Sequence, residues 1–163
     1  MIVKYSKRAF PKGQAGVAIV EFALALPLLI MLLVGLIEYG RYTYFSVEVA
    51  NAAHAGAQYG SQNSTTGQDV TGMKNAAIAD GQNAIFPLTA AAVTAKNVCA
   101  CWNGVSGTAP TAAQCGTCTT ARPVTYVQVT VTGTISPMYN YSMLGLPSSW
   151  TVAKTATIRV LGQ

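Results

Sequence analysis

The sequence has few side chains that could perform acid, base or nucleophilic chemistry. Its 163 residues include five carboxylates and one histidine, and charged residues make up only 9% of the chain. The histidine, His54, lies in an alanine-rich stretch without an identifiable catalytic partner. The sequence also lacks a phosphate-binding glycine loop, a nucleophile elbow and an H-E-x-x-H motif. It therefore predicts a protein that is not an enzyme, with no catalytic residues and no cofactor.

Basic residues are scarce outside the first sixteen positions. This leader holds four of the ten basic residues and no acidic one, the four being Lys4, Lys7, Arg8 and Lys12. Without the leader the net charge falls from +5 to +1. The high isoelectric point is thus mostly a property of the leader, and the sequence predicts no nucleic-acid partner.

A long apolar run begins directly after the leader. From Val17 to Ile37, 21 residues carry a single charge, that of Glu21. At about 1.5 Å of rise per residue the run matches a hydrocarbon core of roughly 30 Å, so it predicts a transmembrane helix, kinked at Pro27. Only Arg41 is basic in the twenty residues that follow. This bias predicts a cytoplasmic leader and an extracytoplasmic remainder.

Two other interpretations of the run stay open. A cleaved secretory signal has an apolar region of about 7 to 15 residues and a small-x-small cleavage site. The present run is longer, contains Glu21 and continues without a turn signal into further helical sequence. The other alternative is an uncleaved signal anchor.

The start of the run carries a more specific pattern. Gly16 is followed by Val17-Ala18-Ile19-Val20, by Glu21-Phe22, by the apolar stretch 23–29, and later by Gly35 and the segments 38–41 and 52–58. The pattern resembles the TadE-like, pilin-related (pseudopilin) proteins of tight-adherence (Flp, type IVb) pilus systems. The resemblance is close over about the first 60 residues. Over the remaining residues it is limited to a β region with cysteines and the closing segment T-A-T-I-R-V. At Gln58 the family commonly carries a basic residue.

The resemblance implies that a membrane-embedded prepilin peptidase cuts after Gly16. Val17 would then be the new N-terminus and Glu21 the fifth residue of the mature chain. Glycine suits this position because its backbone can enter a protease cleft in an extended form. The resemblance also implies that Glu21 and Phe22 act in assembly, with the α-amine of a neighbouring Val17 as the partner of the Glu21 carboxylate. Alternatively, Glu21 reaches the cytoplasmic face by itself and has no partner.

The helix is predicted to continue beyond the membrane to about Tyr59. At 100° per residue, one face collects Tyr42, Phe45, Val49, Ala52, Ala53, Gly56 and Gly60, whereas Glu48, Asn51, His54 and Gln58 lie mostly opposite. Ala52, Gly56 and Gly60 repeat every four residues, which lets another backbone approach closely. That backbone could belong to the chain's own domain or to an adjacent subunit.

The remaining residues predict a small α+β domain. Residues 61–68 are polar and predict a loop, after which Asp69 caps a helix over about 70–82. Strands are predicted over 91–100, 124–132 and 150–161, with an exposed loop at 105–120 and a turn-rich connection at 137–147. The fold class is therefore α+β: a long N-terminal transmembrane helix, its amphipathic continuation and a small antiparallel sheet, as in pilins. The predicted parts are a leader (1–16), the helix (17–60) and an extracytoplasmic domain (61–163).

Four cysteines lie in that domain, as Cys99-x-Cys101 and Cys115-x2-Cys118. The spacing superficially matches a four-thiolate zinc site. An extracytoplasmic compartment favours disulfides instead, so no metal is expected. Two cysteines two apart on a strand point to the same face and do not favour bonding each other. The nested pairs Cys101–Cys115 and Cys99–Cys118 are the first choice, and the crossed pairing stays open.

Together these observations predict a structural protein of the bacterial inner membrane. Its role would be that of a minor pilin-like subunit or assembly factor of a tight-adherence pilus, present at the membrane or in a surface filament. Its partners would be the membrane, a prepilin peptidase, other pilin-like subunits and the assembly machinery. The competing hypothesis is a membrane-anchored extracytoplasmic binding module that does not enter a filament.

Overall fold

The computed structural model describes residues 15–82, 92–102, 111–112, 122–139, 141–142, 145 and 147–161. Three helices precede a four-stranded sheet. The helices are α1 (Ala15–Ser61), α2 (Ser64–Gln68) and α3 (Val70–Gln82), and the strands are β1 (Ala92–Trp102), β2 (Thr111–Ala112), β3 (Arg122–Ile135) and β4 (Trp150–Arg159). The chain divides into two compact units, of which the first ends at Gly40 and the second begins at Arg41. The predicted fold class, a long apolar N-terminal helix with a small antiparallel sheet, is confirmed.

The first unit consists of the N-terminal part of α1. Its sequence is rich in leucine and alanine, which favour helix, and it contains one interruption at Pro27. Proline has no N–H group, so the hydrogen bond to the carbonyl four residues earlier is missing at this point. Every described side chain from Gly16 to Leu33 is exposed. The part of this unit that the structure describes therefore has no apolar core.

The second unit is built around an antiparallel sheet in the order β2-β1-β3-β4. In β3, Val127, Val129 and Val131 alternate with polar residues and are fully buried. Because side chains on a strand alternate between faces, this pattern gives the sheet one apolar face. Each fully buried valine contributes about 1.5–3 kcal/mol relative to an exposed one. The predicted central strand is confirmed, and it extends a few residues further at both ends.

The C-terminal half of α1 and the helix α3 cover that apolar face. On α1 the buried residues recur at three- and four-residue spacing: Phe45, Val49, Ala52, Ala53 and Ala57. They form one core with Met73 and Ala77 of α3 and with Val152, Ala156 and Val160 at the C-terminal end of the chain. The predicted apolar face of the helix thus packs within the chain's own domain.

Two residues on α1 differ from the sequence prediction. Tyr42, which was placed on the apolar face, is 37% exposed. Glu48, which was placed on the polar face, is buried with 8% exposure, whereas Asn51, His54 and Gln58 are exposed as predicted. Glu48 lies one turn before Ala52, so it borders the buried stripe instead of opposing it. Among the described residues, no buried side-chain nitrogen or oxygen lacks a hydrogen-bond partner.

Two short elements lie within segments that were predicted to be loops. Residues 64–68 form α2, because Asn63 Oδ1 accepts hydrogen bonds from the N–H groups of Thr65 and Thr66, each at 2.9 Å. Thr66 Oγ1 in turn accepts one from the N–H of Asn63 at 3.1 Å, which completes a capping box. Within the predicted loop 105–120, Thr111 and Ala112 pair with Cys101 and Ala100 as β2.

Candidate processing and assembly segment

The predicted cleavage site lies in the first turn of α1. This helix begins at Ala15, and the residues before it lie outside the described part of the chain. A Cβ atom added at Gly16 would meet no other atom within 4 Å, and the side chain of Val17 is 58% exposed. Nothing in the described structure therefore shields the Gly16–Val17 bond.

The predicted assembly residues lie one turn further along the same helix. Residues four apart on a helix are neighbours on its surface, so Glu21 lies above Val17 on one side of α1. Glu21 is exposed, as is Phe22 at 59%. Both side chains are accordingly placed where another helix or lipid could contact them.

The surroundings of Glu21 are entirely apolar. The most apolar 18-residue window of α1 has a mean hydropathy of 2.7, and none of it is buried. Of the helices described, this is the one long and apolar enough to cross a bilayer. The core helix of a soluble protein and an N-terminal signal sequence can have the same length and composition. The helix is a candidate membrane anchor.

The small residues of α1 have neighbours within the domain. A Cβ atom on Gly56 would lie 2.7 Å from the carbonyl oxygen of Met73 on α3 and 3.0 Å from Cγ1 of Val129 on β3. The same two elements approach Gly60, through Met73 and Val127. Of the two alternatives for these glycines, the chain's own domain is the neighbour that the structure shows.

A polar contact between α1 and α3 was not predicted from the sequence. Asp69 accepts a hydrogen bond from the N–H of Gly72 at 2.8 Å, which confirms its role as the cap of α3. Its other carboxylate oxygen accepts one from the hydroxyl of Tyr59 at 3.0 Å. The hydrogen bond from Gly72, followed by that from Tyr59, lowers the pKa of Asp69 below its usual value. The cap motif could be recognised in the sequence, whereas nothing marked Tyr59 as its partner.

The cysteines are only partly within the described residues. Cys99 and Cys101 lie two apart on β1, both half-buried, and neither is a free thiol. In the registers of the sheet they lie opposite Thr125 and Pro123 of β3. Cys115 and Cys118 lie outside the described residues, between β2 and β3. These two strands flank β1 on opposite sides. The disulfide pairing stays a prediction.

Comparison with known families supports the N-terminal pattern. Residues 16–58 match the family model described as TadE-like protein. No curated protein and no solved structure matches the chain. The resemblance expected from the sequence is confirmed over this segment, which contains Gly16, Val17, Glu21 and Phe22.

Proposed function

We propose that this chain, which is TadE-like over residues 16–58, is a minor pilin-like subunit or assembly factor of a tight-adherence (Flp) pilus. It is inserted in the bacterial inner membrane by α1, with the leader in the cytoplasm and the second unit outside it. The observation that carries the proposal is the apolar run from Val17 to Ile37, which is exposed as far as Leu33 and carries a single carboxylate, that of Glu21. Such a helix needs lipid or other helices around it.

Processing is the first step of the proposed function. A prepilin peptidase removes residues 1–16 and leaves Val17 as the N-terminus. The open surroundings of Gly16 support this step, because a protease must hold the chain in an extended form and glycine lacks the side chain that would oppose it.

Glu21 gives the processed helix a specific way to associate. A carboxylate within a bilayer costs about 2.5–3.5 kcal/mol on insertion scales, so it favours a nearby cation. Removal of the leader creates one, because a free α-amine has a pKa of about 7.7–8.0 and is charged at neutral pH. The amine of Val17 on a neighbouring pilin-like subunit therefore pairs with Glu21, and the adjacent Phe22 packs on the same partner.

A second candidate function is a membrane-anchored binding module that stays outside a filament. The observation that favours it is the independent core of the second unit, which needs no subunit to cover its apolar face. The two functions differ in processing, since an anchor can keep its leader.

The intact mass and N-terminal sequence of the protein from its native host distinguish the two. The expected N-terminus is Val17. The variant Gly16→Ile should retain the leader, whereas Gly13→Ile, which alters the other glycine of the leader region, should be processed as the parent is. A parent chain that keeps residues 1–16 while the prepilin peptidase is active would contradict the pilin-like function and leave the anchored module.

A further inference from the structure

Contacts along α1 show which end of the sheet lies beside the point where the second unit begins. The ring of Tyr42, the second residue of that unit, contacts the ring of Trp150 edge to face, with 6.2 Å between the centroids. At the C-terminal end of α1, the carbonyl oxygen of Ser61 accepts a hydrogen bond from the N–H of Leu161 at 2.9 Å. The helix therefore runs in the same direction as β4, and the start of β4 lies beside the start of the second unit.

The connection between β3 and β4 begins and ends at this same end of the sheet. Trp150 pairs with Ile135, the last residue of β3. Tyr139 follows Ile135 by four residues, which span at most about 14 Å. Met138 and Tyr139 are 61% and 54% exposed, and the ring centroids of Tyr139 and Tyr141 lie 6.3 Å apart. We use the name aromatic end for the set Tyr42, Met138, Tyr139, Tyr141 and Trp150.

The two ends of the second unit differ in composition. Residues 136–149, which join β3 to β4 at the aromatic end, include no charged residue. Residues 61–69, which begin beside Leu161 at the opposite end, include no large apolar residue. Exposed apolar side chains that gather in one place mark a surface that contacts a membrane or another molecule. The aromatic end is such a surface.

We propose that the aromatic end lies in the headgroup region of the extracytoplasmic leaflet of the membrane that α1 crosses. Tyrosine and tryptophan are enriched in this region of membranes, because each combines an apolar ring with a polar group. The second unit is then held at the membrane twice, by α1 and by the connection between β3 and β4. The inference rests on the membrane insertion of α1 proposed above.

The position of Tyr42 in the chain supports this assignment. Tyr42 follows Ile37, the last residue of the apolar run, by five residues of the same helix. At 1.5 Å of rise per residue they span at most about 7.5 Å, and the headgroup region extends roughly 5–7.5 Å beyond the hydrocarbon core on each side. Tyr42 therefore lies within reach of the headgroups, and Trp150 lies against Tyr42.

A second protein is the other possible occupant of this surface. Protein interfaces are also rich in tyrosine, tryptophan and methionine. The membrane is favoured because the chain itself brings the aromatic end to it in every copy, whereas a protein partner would have to be recruited.

The two tryptophans of the chain provide a comparison of the two ends of the sheet. Trp150 belongs to the aromatic end, whereas Trp102 pairs with Arg122, the first residue of β3. The 14 residues of β3 separate these ends by about 43 Å at 3.3 Å of rise per residue. The variant Trp102→Phe leaves Trp150 as the one fluorescent tryptophan, and Trp150→Phe leaves Trp102.

The test uses the full chain in phosphatidylcholine vesicles at a low ratio of protein to lipid. The lipids carry bromine on their acyl chains near the glycerol, where it quenches tryptophans in or beside the headgroup region. Relative to vesicles without bromine, Trp102→Phe should lose fluorescence, because its remaining tryptophan is Trp150. Trp150→Phe should keep its fluorescence.

Tyr139→Glu, made in the Trp102→Phe chain, tests whether the connection itself contacts lipid. A carboxylate is favoured in water and not beside acyl chains, so this variant should show weaker quenching of Trp150. Its unfolding temperature should stay the same, because Tyr139 is exposed. The control is Gln62→Glu in the same chain, which introduces a carboxylate at an exposed position of the opposite end and should not change the quenching.

Alkaline carbonate extraction of the same vesicles separates failure of this inference from failure of the proposed function. A chain that is extracted contradicts the membrane insertion of α1, and both proposals are then wrong. If the chain is retained but Trp150 is quenched no more than Trp102, or equally with and without Tyr139→Glu, the present inference alone is overturned. It is also overturned if the emission of Trp150 shifts to the blue only as the protein-to-lipid ratio rises, without quenching, because a second copy then covers the aromatic end.

Discussion

Because Gly56 has no side chain, α1 packs closely against α3 and β3 at this position. A Cβ atom at this position would be 2.7 Å from a backbone carbonyl of α3, and a backbone atom cannot move aside as the end of a flexible side chain can. The glycine thus has a packing role that outweighs its poor helix propensity. Gly40 on the same helix has no atom within 4 Å of such a Cβ position.

This contrast predicts opposite effects of the same substitution. In an unobstructed helix, Gly→Ala stabilises by up to about 1 kcal/mol through propensity. At Gly56 overpacking of about 1–3 kcal/mol opposes that gain, so Gly56→Ala should lower the unfolding temperature of the detergent-solubilised chain. Gly40→Ala should leave it unchanged or raise it. Equal unfolding temperatures for the two variants would show that α3 does not pack on Gly56 as described.

The cap of α3 predicts an acid-sensitive contribution to stability. The pKa of Asp69 is lowered in the folded chain by the hydrogen bonds from Gly72 and Tyr59. The unfolded state therefore binds the proton more tightly. The stabilisation is present above the unfolded pKa of about 3.9 and is lost as the pH falls through the folded value.

Asp69→Asn separates the charge from the cap, because asparagine also caps helices well but does not ionise in this range. The variant should lose less stability than the parent between pH 6 and pH 3, measured as the change in unfolding temperature over about that range. Asp69→Ala, which removes the cap as well, should be less stable than either at pH 6. If the parent and Asp69→Asn respond equally to acid, other carboxylates cause the acid response.

The two halves of α1 have the same backbone structure but opposite relations to their surroundings. Between Phe45 and Ala57 one stripe of apolar residues is covered by α3 and the sheet, whereas from Gly16 to Leu33 all side chains are exposed. Composition also differs between the two halves, because residues 17–37 carry one polar side chain, Glu21, whereas Asn51, His54 and Gln58 lie in the second half. The difference in exposure follows from whether a partner for the apolar surface exists within the chain.

A substitution in the exposed half tests the proposed role of its one carboxylate. Glu21→Gln removes a charge from an apolar run, so the variant should enter membranes at least as well as the parent. Its co-purification with other pilin-like subunits, and piliation of the host, should fall strongly because the cation of Val17 then has no partner. The control is Glu38→Gln, which alters a buried carboxylate near the end of the run. Normal piliation with Glu21→Gln would mean that Glu21 only reaches the membrane surface.

How well the sequence predicts a helix or a strand depends on whether a local residue pattern marks it. Helix α3 and strand β3 were predicted closely, since Asp69 marks the start of one and alternating valines mark the other. Helix α2 was missed because its stability comes from the side chain of Asn63 and not from an apolar stripe. The two residues of β2 form a strand only through pairing with β1, which local sequence does not show. The burial of Glu48 likewise depends on what packs at the border of a helix face.

For the candidate site, the sequence predicted which residues belong to it but not whether other elements cover them. Gly16, Val17 and Glu21 were predicted from the resemblance to the TadE-like family, and the family match covers all three. Their exposure depends on the absence of a covering element within the described unit, which requires the structure. The hydrogen bond between Tyr59 and Asp69 also depends on tertiary alignment.

The whole chain combines a basic leader, an exposed apolar helix and a small domain with one core. A core of this size gives limited stability, and covalent cross-links are a common supplement in secreted domains. For a loop of roughly 15 residues the chain-entropy model gives about 3 kcal/mol per disulfide. Among the described residues, Thr111 and Ala112 pair with Cys101 and Ala100, and Arg122 pairs with Trp102.

We therefore predict two disulfides between the pair Cys99/Cys101 and the pair Cys115/Cys118 in protein from the native membrane. Non-reducing peptide mapping should find no free thiol, and the linked peptides distinguish nested from crossed pairing. Reduction should lower the unfolding temperature. A version without residues 1–37, produced in a reducing cytoplasm, serves as the control and should contain free thiols and unfold at a lower temperature. One equivalent of bound zinc with four reduced cysteines in the native protein would contradict the disulfides, and with them the extracytoplasmic location from which they were predicted.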